Sequence, residues 1–309
     1  MNIFQVFQDP NTQWILFGSV LLGISSGVIG CFAYLRKQSL MGDALSHAAL
    51  PGVCLAFILT GTKSIFFFLI GAMIAGILAT MSISFITRYS RIKQDSALGI
   101  ILTVFFGIGI VLLTQIQHST SGNQSGLDKF LFGQAASMVH SDVYTMAGIS
   151  LFLIGVSIVF FKEFKLLSFD PGFAKGIGLP TMILDQFIML LLVIAVVIGI
   201  QAVGVVLMAA LLITPAVSAR YWTEKLHVMT ILAGLFGGTS GLIGTIISTW
   251  ANNLPTGPLI VLSATSIFVV SIVLAPSRGV LAKAMRQKMA KTEILNQQQL
   301  KQAIKDGNA

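Results

Sequence analysis

Charge is what this sequence has least of. Only 10% of its 309 residues are Asp, Glu, Lys or Arg, whereas a typical soluble domain has about 25%. Hydrophobic residues make up 55% of the chain, and the mean hydropathy is +0.89. So few charged groups cannot cover this much apolar surface in water, and the composition therefore excludes an ordinary soluble domain.

Common catalytic signatures are also missing. The chain has no GxxxxGK[ST] loop, HExxH or CxxC, so it does not itself bind ATP through a phosphate-binding loop of that type. Its two cysteines, Cys31 and Cys54, lie inside apolar runs and are interpreted as packing residues. With only four histidines, a multi-histidine catalytic metal centre is not expected. Uphill transport would need energy from a partner chain or an ion gradient.

Long apolar runs recur along the whole chain. A helix that crosses a bilayer needs about 20 largely apolar residues. The second run contains Asp43 and His47, and the seventh is short and ends at Pro215, so eight spans are the alternative to nine. We predict an all-α, polytopic membrane protein. Its nine predicted spans are 13–35, 40–60, 64–87, 96–116, 142–161, 183–201, 203–220, 227–250 and 257–275.

The basic residues predict the orientation of these spans. Short cytoplasmic loops of membrane proteins are rich in Lys and Arg. With the N-terminus outside and the C-terminus in the cytoplasm, all of the 19 Lys and Arg residues except Lys63 and Lys129 are cytoplasmic. The opposite orientation would reverse this ratio. The net charge of +8 is then a consequence of topology and requires no nucleic-acid partner.

Asp43 and His47 form an ionisable pair in the stretch LMGDALSHAALPG. Their i, i+4 spacing places both side chains on one face of a helix. Ionisable groups are costly in a bilayer and usually mark the path of an ion or substrate. A carboxylate with an imidazole is half of a ligand set for Mn²⁺, Fe²⁺ or Zn²⁺. We predict a metal site here, with a structural hydrogen-bonded pair as the alternative.

The predicted depth of this pair depends on the shape of its helix. Asp43 is only three residues into its span, which favours a position at the membrane surface. Pro51 and Gly52 follow eight and nine residues later, and a kink or unwound turn there would draw Asp43 inward.

Small residues recur at four-residue spacing in several spans. Gly23 and Gly27 form one such pair, and Gly71 with Ala75 forms another. Small residues let helix backbones approach closely in lipid. We interpret these stripes as packing within the chain, with a dimer interface as the alternative. A longer stripe in the eighth span consists of Ala233, Gly237 and Gly241.

The predicted external segment from Gln117 to Ser141 begins polar and continues as LDKFLFGQAASMVHSD. Its second half favours a short helix at the membrane interface. Taken singly, its ionisable residues are ordinary surface groups. Taken together, they form a possible external metal relay, which consists of His118, Asp128, His140 and Asp142.

The predicted cytoplasmic segment from Lys162 to Thr181 is too polar to span a membrane. Ser168 or Asp170 is expected to cap a short helix that has Pro171 in its first turn and ends near Gly178. Its apolar residues share one face, which suits docking to another protein. A solvated connector is the alternative.

Four stretches between Arg36 and Trp222 carry a family resemblance, which extends from about residue 13 to residue 275. They are RKQSLMGDALSHAALPGVCLAF, LDKFLFGQ, SFDPGFAKGIGLP and GVVLMAALLITPAVSARYW. In this order they resemble the ABC-3 family of permeases, the membrane subunits of bacterial importers for manganese, zinc and iron. The GDALSHAALPG block is the most specific of them. Its SHAxLPG motif resembles that of the manganese- and iron-type permeases more than that of the zinc type.

The resemblance implies a transport subunit of a bacterial cell membrane rather than an enzyme. Two copies would join two cytoplasmic ATP-binding subunits, and an extracellular metal-binding protein would deliver Mn²⁺, or alternatively Zn²⁺ or Fe²⁺. No tightly bound cofactor is implied. Residues 1–275 would form the permease and residues 276–309 a basic cytoplasmic tail.

The resemblance also implies roles for individual residues. Asp43 and His47 match an intramembrane metal site. The segment from Asp170 to Leu179 matches the coupling helix, which sits in a groove of the ATPase. The expected coupling residues are Asp170, Pro171, Phe173, Ala174, Ile177 and Gly178.

Two other classes of protein remain open from the residues alone. An ion-coupled secondary transporter for divalent metals also uses intramembrane acids, but no internal repeat is evident and the docking helix would have no role in it. A membrane-embedded enzyme or receptor subunit would use the Asp43–His47 pair structurally. Co-purification of a cytoplasmic ATPase separates the secondary transporter from the ATP-driven importer.

Overall fold

The computed structural model describes residues 10–61, 65–118, 140–250 and 254–289, and these form helices and short turns without any strand. Residues 280–289 form a further helical stretch. The other helices are α1 (Pro10–Leu35), α2 (Met41–Thr60), α3 (Ile65–Tyr89), α4 (Gln94–His118), α5 (His140–Val159), α6 (Phe161–Phe169), α7 (Pro171–Gly176), α8 (Thr181–Val203), α9 (Val205–Trp222), α10 (Leu226–Trp250) and α11 (Thr256–Leu274).

Eight of the described helices are long and apolar enough to cross a membrane: α1 to α5, α8, α10 and α11. The molecule is therefore a multi-pass integral membrane protein. Each of these helices begins and ends within three residues of a predicted span, which confirms the all-helical fold. The hydrophobic runs predicted these boundaries well because span length is set by the thickness of the bilayer.

The seventh predicted span corresponds to α9, which has 18 residues and is about 27 Å long. Its start lies beside the start of α11, because Gly257 packs against the backbone of Val203. Its end lies beside the end of α11, where the indole nitrogen of Trp222 donates a hydrogen bond to Ser271 at 3.0 Å. Helix α9 therefore runs alongside α11 and crosses the same layer.

Contacts between helix ends define one face of the bundle. Arg36, just after α1, forms an ion pair with Asp185 in α8. Arg88, near the end of α3, lies 3.3 Å from the sulfur of Met182. We call this the basic face, because every Lys and Arg of the described residues lies in it or in the turns beside it. These residues are Arg36, Lys37, Arg88, Arg91, Lys93, Lys162, Lys165, Lys175, Arg220, Lys225, Arg278, Lys283, Arg286 and Lys288.

The small-residue stripes lie where helices of this chain meet. A Cβ atom added at Gly23 would overlap the carbonyl of Gly237, and one added at Gly27 would overlap the carbonyl of Ala233. These contacts join α1 to α10 at backbone distance. The prediction that the stripes serve packing within the chain is confirmed for this pair of helices.

Helix α2 packs against α3, α4 and α9. Gly52 packs on the backbone of Gly71 in α3, and Leu50 packs on Gly109 in α4. Pro51 lies inside the helix, which continues unbroken from Met41 to Thr60. Proline has no N–H to donate to the carbonyl four residues earlier, so the His47 carbonyl loses its usual helical partner. The helix is not unwound at Pro51 and Gly52.

Candidate functional site

Asp43 and His47 face each other across one turn of α2. The Nε2 atom of His47 lies 3.5 Å from Oδ1 of Asp43. The His47 ring packs edge-on against Phe106 of α4, with 4.8 Å between ring centroids. The Asp43 side chain is 44% exposed and the His47 side chain 18%. A fixed imidazole thus stands beside a carboxylate that is open to an incoming ion.

The depth of the pair follows from its neighbours. Phe106 lies 12 residues after the start of α4 at the basic face and 12 before its end, which is about 18 Å from either end of the helix. Gly42, next to Asp43, packs against Ala209 of α9. Ala209 is 13 residues from the end of α9 at the basic face, or about 20 Å. The pair therefore lies near the middle of the layer.

This depth arises because α2 begins inside the bundle. Helix α1 ends at Leu35, Lys37 follows in the left-handed conformation at φ 57°, and the N–H of Gln38 donates to the Ala33 carbonyl at 2.9 Å. The connection then turns inward, so that the Gln38 side chain is buried and Met41 is completely buried. Position within the span favoured a surface location for Asp43 unless a kink or unwound turn at Pro51 and Gly52 drew it inward. The helix is continuous there, and Asp43 lies deep because α2 itself begins inside the bundle.

The pair alone is too small a ligand set for a divalent ion, which takes four to six ligands. No group of three or more His, Cys, Asp or Glu side chains that could hold a metal ion occurs among the described residues. A carboxylate and an imidazole suit Mn²⁺, Fe²⁺ or Zn²⁺. Two protein ligands suit a passing ion better than a permanently bound one.

The residues of the possible external relay lie only partly within the described structure. His118 ends α4 and is exposed, at the face opposite the basic face. Asp142 lies in the first turn of α5 and is buried. His140 begins the same helix, whereas Asp128 and the side chain of His140 lie outside the described residues. The relay therefore stays a prediction.

The segment after α5 forms two short helices at the basic face. The Oδ1 atom of Asp170 accepts a hydrogen bond from the N–H of Phe173 at 2.9 Å, so Asp170 is the N-cap of α7, with Pro171 as its first residue. Ser168 instead donates to the carbonyl of Phe164 within α6. Gly178 follows with φ 86°. Of the two predicted caps, Asp170 is the one used.

Helix α7 presents apolar side chains outward. Phe173 and Ile177 are 57% and 56% exposed, whereas Ala174 between them is completely buried. Ile177 follows the last helical turn as its C-cap. An exposed phenylalanine and isoleucine on a fixed turn at the basic face form a surface suited to docking.

Helix α6 was missed in the sequence. Phe164 packs edge-on against Phe32 of α1 at 5.3 Å between centroids, and Phe160 packs against Phe187 of α8 at 5.3 Å. The spacing of Phe161, Phe164 and Leu167 is typical of a helix face, but the three charges between Lys162 and Lys165 obscured it. This aromatic cluster fixes α6, and with it the adjoining α7, to α1 and α8.

Asp185 lies near the start of α8, in its second turn. It pairs with Arg36, and burial lowers the pKa of the Arg36 guanidinium to about 10. Both line a cavity of about 640 Å³ that Ser168 and Pro171 also line. The end of α6 and the start of α7 thus adjoin the α1–α2 connection, which leads directly to Asp43.

A multi-pass helical protein with an ionisable pair at mid-depth and an exposed apolar turn at its basic face has the parts of a transport permease. The model of the ABC 3 transport family matches residues 8–275. The chain therefore belongs to this family, whose members are bacterial plasma-membrane permeases, and the resemblance seen in the sequence is confirmed.

Similar proteins have names that concern metal transport. The chain is 58% identical over 285 residues, 92% of its length, to the manganese transport system membrane protein MntC of Bacillus subtilis (strain 168), and spans 66% of that relative. It is 44% identical to the zinc transport system membrane protein TroC of Treponema pallidum (strain Nichols), over 93% of this chain and 96% of TroC. Among solved structures it resembles PsaBC from Streptococcus pneumoniae in complex with Fab. That match has a TM-score of 0.80 and 34% identity, and covers 93% of this chain and 98% of that one.

Proposed function

We propose that this chain is the membrane-spanning permease subunit of an ATP-driven importer of a divalent metal ion. Mn²⁺ is the proposed cargo, with Zn²⁺ or Fe²⁺ as alternatives. The observation that carries the proposal is the mid-depth position of Asp43 and His47. Family membership and the names of the similar manganese and zinc proteins support it.

In this proposal the ion passes Asp43 and His47 by exchange of ligands. The Asp43 carboxylate, which is the more open group, receives the cation, and the Nε2 atom of His47 adds a nitrogen ligand. Water or the same pair in a second copy of the chain supplies the remaining ligands. A site with only two ligands from each chain holds the ion briefly, which is what transport requires.

The energy would come from ATP-binding subunits that dock at the basic face. Their contact is α7, with Phe173 and Ile177 entering an apolar groove and Asp170, Pro171, Ala174 and Gly178 fixing the shape of the turn. Movement of α7 would reach the metal site through α6, the Arg36–Asp185 pair and the α1–α2 connection. The short distance between these parts supports this route.

The proposed orientation puts the basic face in the cytoplasm and the N-terminus outside. An external metal-binding protein would then dock at the opposite face, where His118, Asp128, His140 and Asp142 form the possible relay. Residues 1–275 would be the permease, and residues 276–309 its basic cytoplasmic tail.

Metal accumulation in bacterial cells that lack their own importer tests the site. Asp43→Asn and His47→Ala should each abolish most accumulation, while expression and ATPase association persist, because each removes a direct ligand. Asp95→Asn, which changes an exposed carboxyl at the start of α4, should accumulate metal normally. Near-normal accumulation by both site variants would refute the site.

An ion-coupled secondary transporter is the alternative function. It predicts metal uptake in vesicles that contain the permease without any ATPase, driven by a proton or sodium gradient. The ATP-driven importer predicts no uptake under those conditions and co-purification of an ATPase from the native membrane. The exposed turn at Phe173 and Ile177 favours the importer, because a secondary transporter needs no such docking surface.

A further inference from the structure

The helix that follows the last span has two unlike sides. Residues 280–289 contain three basic residues and no acidic one. Leu281, Met285 and Met289 recur at four-residue spacing and therefore share one side of a helix. With Val280, these apolar side chains are between 51% and 65% exposed. Lys283 and Arg286 lie on the other side.

Lys288 lies among the apolar residues, in the last described turn. Its four-carbon chain can lie along apolar material while the ammonium group reaches water. An amphipathic helix with such a lysine is typical of a membrane interface, where apolar and polar layers meet within the length of one side chain.

Hydrogen bonds tie the start of this helix to the basic face. The Ser277 hydroxyl and the Arg278 N–H both donate to the carbonyl of Tyr221 at the end of α9. The Arg278 guanidinium donates to Glu224 at 3.0 Å, which, together with its charge, lowers the pKa of that carboxyl. Arg286 donates to the Pro276 carbonyl at 3.0 Å. The helix is thus held where α9 and α11 leave the apolar layer.

Ten residues such as 280–289 are too few to form a stable helix in water without further contacts. All of this stretch except Ala282 is exposed, so packing against the described part of the chain does little to stabilise it. Its exposed apolar side and its basic residues suit an external surface with apolar depth and negative charge. The interface of a bilayer that contains anionic phospholipid has both, and it lies where the tether holds the helix.

We propose that residues 280–289 form an interfacial helix that binds anionic phospholipid headgroups at the basic face. The apolar side enters the boundary between headgroups and acyl chains, and Lys283, Arg286 and Lys288 contact phosphate groups. This makes the start of the tail a lipid-binding element of the permease, beside the turn between α9 and α10.

A fluorophore on the thiol of Met285→Cys tests this in the full-length protein, because Cys31 and Cys54 are both completely buried. The protein is placed in nanodiscs of phosphatidylcholine alone, or of one part phosphatidylglycerol to three parts phosphatidylcholine. Quenching by a nitroxide on the lipid acyl chain measures insertion. We expect strong quenching in the mixed bilayer and weaker quenching in phosphatidylcholine or at high salt.

Two variants and a control separate the contribution of the lysine charges to insertion from that of the apolar side chains. Lys283→Gln with Lys288→Gln should weaken insertion about fivefold for each lysine removed, while the Arg286 bond to Pro276 stays intact. Val280→Gln with Leu281→Gln should also reduce quenching, because less apolar area enters the lipid. Lys162→Gln with Lys165→Gln removes the same charge from α6 and should leave quenching unchanged.

If something other than anionic lipid covers the apolar side of this helix, the labelling gives a different result, and each such result would overturn the proposal. A probe that stays accessible to aqueous iodide in the mixed bilayer shows that the helix does not insert. Protection in lipid-free amphipol shows that protein covers the helix, either residues 290–309 or another copy of the chain, and protection only after ATPase is added identifies that subunit instead. Equal quenching in both bilayers, unaffected by the lysine changes, shows that anionic lipid is not recognised.

Discussion

At the residue scale, the proposed function depends on two side chains, Asp43 and His47, that are costly to place within a membrane. The sequence predicted the pair and its helical register, because i, i+4 spacing needs no tertiary information. Its depth could not be predicted from position in the span. That depth depends on how far inside the bundle α2 begins, which is set by its packing on Phe106 of α4 and Ala209 of α9.

The first prediction concerns the nitrogen ligand. In the solubilised permease–ATPase complex loaded with Mn²⁺, pulsed electron paramagnetic resonance should show coupling to a directly bound ¹⁴N nucleus. His47→Gln should remove that coupling, because an amide side chain offers Mn²⁺ its oxygen. His227→Gln, which changes an exposed histidine at the basic face, should retain it. Persistence of the coupling in His47→Gln would assign the nitrogen to another residue.

At the scale of elements, the spans and their boundaries were predicted well. Between α5 and α8, the sequence predicted α7 but not α6. Apolar run length fixes a span, whereas α6 is recognised only from the packing of Phe164 on Phe32 and α8. The stripe of small residues predicted close helix contact but did not identify the partner helix. Only the fold pairs Gly23 with Gly237, and Gly52 with Gly71.

Gly52 provides a test of this packing. An added Cβ there would overlap the carbonyl of Gly71, whereas one at Gly99 in α4 has nothing within 4 Å. Gly52→Ala should lower the free energy of unfolding in detergent by about 1–3 kcal/mol. Gly99→Ala should leave it unchanged or raise it by up to about 1 kcal/mol, because alanine favours helix. Equal stability of the two variants would show that α2 and α3 are not in backbone contact.

The docking turn gives a second prediction for an element. Phe173→Asp with Ile177→Asp should prevent the ATPase subunit from co-purifying, because a charge forced into an apolar groove is left without a partner. Metal binding by the external protein should not change. Val280→Asp with Leu281→Asp, an equal change on the tail helix, should leave ATPase recovery intact. Normal ATPase recovery with the α7 variant would make this segment a connector.

At the scale of the whole molecule, charge distribution and fold agree. Every described Lys and Arg lies at one face, although the loops that carry them are far apart in the chain. Among the described residues, nine helices cross the layer, so the start of α1 and the end of α11 lie at opposite faces. The positive-inside rule favours a cytoplasmic basic face, and this orientation stays a prediction.

Cysteine labelling in intact cells tests that orientation. The thiol of Lys63→Cys, in the predicted external loop, should react with a membrane-impermeant maleimide from outside. The thiol of Lys165→Cys on α6 should react only after the membrane is permeabilised. The reverse pattern would invert the topology and would place the docking turn where no ATPase could reach it.

The most direct test of the whole account is uptake of radioactive Mn²⁺ by proteoliposomes that contain the permease, its ATPase and the external binding protein. Uptake should require ATP, and Asp43→Asn and His47→Ala should each reduce it to background while Asp95→Asn does not. Donor loading and ATPase recovery, measured on the same samples, should be equal in all variants. ATP-dependent uptake near the unsubstituted level in both site variants would contradict the claim that the metal passes through this pair.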